Sequence, residues 1–105
     1  MKFIALIAII LLEGCGKADR PATDAQLTAL GERFVKEKLK DPDSAEFRNQ
    51  FIGKKGIPCG EVNAKNGFGG YNGFQRYMAV SKELTVMPQD MAPGEFEASW
   101  ATFCR

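Results

Sequence analysis

Three cysteines, Cys15, Cys59 and Cys104, stand in a chain of 105 residues that has no histidine. Their odd number constrains the fold more than any other feature. Two of them can staple a small domain, so the third needs its own account. Cys15 closely follows an unbroken apolar run at residues 3–12. Such a run reaches about 15 Å as a helix, half of a roughly 30 Å hydrocarbon core, and is too short to span a bilayer. Behind Met1-Lys2 it reads as a secretory signal.

The run ends in Leu12-Glu13-Gly14-Cys15, which resembles the lipobox of bacterial lipoproteins. The resemblance implies diacylglyceryl transfer to the Cys15 thiol and cleavage before it, which removes residues 1–14 as a lipoprotein signal peptide. Glu13 departs from the pattern, at a site that normally holds a small or apolar residue. Gly16, where Asp would mark retention at the inner membrane, implies the periplasmic face of the outer membrane. The alternative is an ordinary signal, with Cys15 a stray thiol or removed and the product soluble in the periplasm or secreted. Acyl chains anchor through about 0.8 kcal/mol per buried methylene, so two or three chains hold stably. Residues 15–22 are then the lipidated cysteine and a polar tether, and residues 23–105 a single domain.

With Cys15 lipidated, Cys59 and Cys104 remain, in a compartment where paired thiols are normally bridged. A Cys59–Cys104 bond closes a loop of about 46 residues and contributes on the order of 4 kcal/mol in the chain-entropy model. The competing readings are two buried free thiols or a metal pair. Without histidine, a metal pair would need carboxylates beside two thiolates, an unusual set.

Within the domain, Thr23-Asp24-Ala25-Gln26 fits a capping box. Leu27, Leu30, Phe34, Val35 and Leu39 follow one helical stripe, and Asp41-Pro42 should stop that helix. A short helical turn is expected over residues 41–46, with Pro42 at its first position. Residues 47–52, 57–64 and 75–80 read as strands, with a short fourth at 84–87. Gly53-Lys54-Lys55-Gly56 has turn composition, and Pro58 marks a strand start or an exposed edge. Residues 95–103 read as a helix with Phe96, Trp100 and Phe103 on one stripe. The expected fold is α+β: an N-terminal helix, a three- to four-stranded antiparallel sheet and a C-terminal helix stapled by one disulfide, with the helices on one face of the sheet.

A formal net charge of +1 argues against nucleic acid, which needs a concentrated cationic excess. The missing histidine removes the commonest general base, and a Ser–His pair is impossible. Gly67-Phe68-Gly69-Gly70 lacks the ending of a phosphate loop, and Glu61 has no obvious carboxylate partner for glycosidase chemistry. No catalytic set, metal site or cofactor motif is found, and we expect a non-enzyme. What stands out is Asn-Gly-Phe twice, at Asn66-Gly67-Phe68 and Asn72-Gly73-Phe74, with Tyr71 between. Asn-Gly pairs make hairpin turns, and the aromatics could fill a core beneath the loop. Alternatively, Asn66, Phe68, Tyr71, Asn72 and Phe74 form a partner-binding loop, with Phe68 and Tyr71 projecting as anchors.

The segments Lys40-Asp41-Pro42-Asp43-Ser44-Ala45-Glu46-Phe47-Arg48-Asn49, Cys59-Gly60-Glu61-Val62-Asn63-Ala64-Lys65-Asn66 and Gly69-Gly70-Tyr71-Asn72-Gly73-Phe74 resemble a signature of small exported bacterial proteins, many encoded by phages or prophages. The resemblance covers roughly residues 30–80 and brings no catalytic residues. It implies a periplasmic protein-binding lipoprotein with the membrane and an envelope protein as partners, one form being superinfection exclusion by blockade of an outer-membrane receptor. The expectation from another class is a host envelope lipoprotein that binds cell-wall polymer or inhibits a lytic enzyme.

Overall fold

Thr23 starts the first helix as its side chain predicts. Its hydroxyl accepts from the Gln26 amide at 3.1 Å, and the Gln26 side chain accepts from the Thr23 amide at 2.9 Å. The computed structural model describes residues 20–105, so the leader, Cys15 and most of the tether lie outside the described residues. Helix α1 spans Asp24–Lys36, four residues short of the stop expected at Lys40. The chain tightens into i→i+3 bonds there, Lys38 to Val35 and Leu39 to Lys36. Lys38 is drawn away toward the sheet, where its ammonium donates to the Thr85 carbonyl and to Asp90. The turn expected next is a 3-10 turn at Pro42–Ser44.

Strands β1 (Glu46–Ile52), β2 (Pro58–Asn63), β3 (Gln75–Ala79) and β4 (Thr85–Val86) pair antiparallel in chain order. Pro58 opens β2, which is a central strand, and is itself buried, so the edge reading of that proline does not hold. One extra residue in β1 makes a bulge between Arg48 and Phe51. Asn49 sits there at φ 53°, a left-handed backbone that asparagine tolerates better than most residues. Helix α2 spans Glu95–Phe103, as expected. The Cys59–Cys104 disulfide is formed, with Cα atoms 6.1 Å apart.

The two helices cover opposite faces of the sheet, which corrects the expectation of one shared face. Strand alternation puts Cys59 and Met78 on one face and Val62, Tyr77 and Ala79 on the other. On the first face Phe96, Trp100 and Cys104 pack with Ile57, Cys59 and Met78. On the second, Val35 packs with Val62, Tyr77, Ala79 and Met87. Gly31 lets α1 approach the sheet: a Cβ there would lie 2.5 Å from the Pro58 Cβ. The disulfide pulls α2 to the face of Cys59, and three residues later Val62 points to α1.

The strands also give the domain two distinct ends. The β1–β2 connection, a 3-10 turn at Lys54–Gly56, lies at the end where α1 begins, with Gly56 beside Leu27. The β2–β3 connection at residues 64–74 lies at the other end, since Asn63 pairs with Glu46 at the start of β1.

Candidate functional site

The β2–β3 connection is built around Asn66. Its backbone N–H donates to the Gly70 carbonyl at 2.8 Å, and its carbonyl accepts from Gly69 at 3.0 Å. Its side-chain oxygen accepts from the Phe68 and Gly70 amides at 2.8 and 3.2 Å. Its amide nitrogen donates to Asn72 Oδ1 at 2.9 Å. The positive φ falls on Gly69 (84°) and Gly73 (99°), not on Asn66 or Gly67. The turn is therefore closed by the asparagine side chain over five residues, and not by the two-residue Asn-Gly hairpin that the dipeptide suggests. A bridge between Lys65 and Tyr71 closes the base.

Ser44 fixes this loop to the rest of the molecule. Its hydroxyl accepts from the Lys65 amide at 2.8 Å, and its carbonyl accepts from the Tyr71 hydroxyl at 3.3 Å. Asn63 Oδ1 accepts from the Gly73 amide. The two readings of the aromatics then divide residue by residue. Phe68, at the tip, is fully exposed, and Tyr71 is 46% exposed. Phe74 departs from the expected cluster: it is half-buried, and the Arg48 guanidinium lies over its ring at 3.8 Å. It shares the parity of Arg76 and Met78 and so faces the α2 side of the sheet. The structure thus brings Asn66, Phe68, Tyr71 and Asn72 together and sets Phe74 apart.

Glu61 accepts from Arg48 at 2.6 Å and from Asn49 at 2.9 Å. The hydrogen bond from Arg48, followed by that from Asn49, holds its carboxyl below the usual carboxylate range. Such a group stays deprotonated and is a poor proton donor. On the same face Arg76 lies over the rings of Phe96 and Trp100 and pairs with Glu97. These cations are held by acids and rings, which makes them structural.

A groove of about 270 Å³ opens between the loop and the segment that follows α1. Lys38, Lys40 and Lys65 reach it, its floor is Leu39, Val62 and Ala64, and the remaining side-chain polarity is amide: Asn66, Asn72, Gln75 and Gln89. Sequence reading reaches the loop asparagines but misses the lysines and glutamines, which come from four separate stretches. Comparison with protein-family models, curated proteins and solved structures found no match.

Proposed function

We propose that this chain is a lipid-anchored periplasmic module that binds an envelope protein through the loop tip at Phe68. The observation that carries the reading is a fully exposed phenylalanine on a loop whose backbone is tied by Asn66 and Ser44. A large aromatic in water is a ready anchor for a partner pocket. A loop already ordered by internal hydrogen bonds loses little further freedom on binding. Tyr71, beside it and half-exposed, extends the apolar contact. Residues 1–15 supply the address in this reading, and the signature around residues 40–74 supplies its specific form, blockade of an outer-membrane receptor against incoming phage.

A photo-crosslinking residue placed at position 68 in living cells tests the binding. One discrete protein adduct, absent when the same group is placed at exposed Glu97, is the expected outcome; no adduct overturns the reading. The exclusion form is tested by plating a phage panel on a sensitive host that expresses the chain. Reduced plating of at least one phage, restored by Phe68→Ala and by Cys15→Ala, is expected. Unchanged plating across the panel overturns the exclusion form.

A further inference from the structure

We infer that the groove beside the loop binds an acidic, extended peptide segment of the protein partner, an inference that rests on the protein-binding reading and names the chemistry of its ligand. Charge is the first argument. Among the described residues, no Asp or Glu lines the groove. Lys38 is neutralised by Asp90 at 2.6 Å. Lys40 and Lys65 are exposed, and among the described residues neither has a carboxylate within ion-pair distance. Two cations therefore stand at the groove with no carboxylate of the described residues paired to them, one from the segment after α1 and one from the loop.

The remaining lining selects among anions. A phosphate or sulfate is an anion dominated by acceptor oxygens and has no apolar part. Gln75 makes no side-chain hydrogen bond among the described residues and presents both a donor and an acceptor; Asn72 keeps its N–H donors while its Oδ1 accepts from Asn66, and Gln89 keeps its carbonyl oxygen while its amide nitrogen donates to Met87 Sδ, a mixture that matches the C=O and N–H of a peptide backbone. The floor of Leu39, Val62 and Ala64 matches aliphatic side-chain stems. Glutamate combines all three requirements: a carboxylate for a lysine, methylenes for the floor and a backbone amide for the glutamines. Continuity with the tip places such a segment in the same partner, because Lys65, Asn66 and Asn72 belong to the loop that carries Phe68.

The full chain, nitrogen-15 labelled in detergent micelles, is titrated with three probes. They are acetyl-Leu-Glu-Ala-Glu-Leu-amide, its counterpart with both glutamates replaced by glutamine, and inorganic phosphate. The acidic peptide should shift the side-chain amides of Asn72, Gln75 and Gln89 saturably and bind about tenfold more tightly than the glutamine peptide, weakening with salt. The Lys40→Glu/Lys65→Glu variant, altered only at exposed positions, should keep its melting transition and lose affinity by about tenfold or more. The inference is overturned by the absence of a saturable shift, by equal binding of the two peptides, or by phosphate saturating the same amides as tightly. A silent groove with an intact crosslink at position 68 overturns this inference alone. Saturable acidic-peptide binding with no crosslink at position 68 supports the groove and overturns the tip.

Discussion

Gly31 shows how a single hydrogen atom can decide a packing distance. Within a helix glycine is worth roughly 1 kcal/mol less than alanine, so Gly31→Ala would be stabilising on propensity alone. The added Cβ would lie 2.5 Å from the Pro58 Cβ and 3.0 Å from its Cγ, against a rigid ring that cannot swing aside. Overpacking of that kind costs about 1–3 kcal/mol, and we expect a net loss of stability in urea unfolding. Gly67→Ala is the control. Among the described residues nothing lies within 4 Å of a Cβ placed there, and its φ is not positive, so its stability should stay within about 0.5 kcal/mol of the parent. The same scale shows what sequence reading could reach. Two identical Asn-Gly-Phe triplets end with one ring in water and one beneath Arg48. Phe74 lies four residues before Met78, and strand alternation already assigns it to that face. Phe68 sits in a turn, where no period exists to read.

At the scale of elements, the loop depends on one side chain. Asn66→Ala removes three hydrogen bonds at exposed positions. It should cost about 1–2 kcal/mol and speed hydrogen exchange at the Phe68 and Gly70 amides, with the sheet still protected. The β1–β2 pair carries a pH dependence through Glu61. Its folded pKa lies below the ordinary value of 4.5, so its contribution is complete above that value and is lost as pH falls through the lower folded one. Glu61→Gln should flatten the loss of stability on acidification below that ordinary value relative to the parent, by under about 1 kcal/mol because the pair is partly solvated. Helix α2 was legible residue for residue from its Phe96–Trp100–Phe103 stripe. The end of α1 was not, because it is set by where Lys38 finds Thr85 and Asp90, 47 and 52 residues away. The groove was illegible for the same reason: its lysines and glutamines meet only after the strands have paired.

At the scale of the molecule, one covalent bond joins α2 to the central strand. Cys59→Ser/Cys104→Ser should lower unfolding free energy by about 4 kcal/mol for a loop of this length, a large share for a domain of this size. Denaturant titration of the oxidised parent against the variant measures it. The opposed layers follow from the spacing of Cys59 and Val62, three residues apart in one strand and hence on opposite faces; that parity was present in the sequence. The disulfide also lies at the end of the sheet where α1 begins, since Cys59 is the second residue of β2 and Gly53 packs directly on Cys104. Residue 20 and Arg105 therefore leave the domain from one pole. An anchor, a tag or further chain joined at either place is added on that side, and the opposite pole stays clear for the loop. A reporter fused after Arg105 should leave the tip unobstructed.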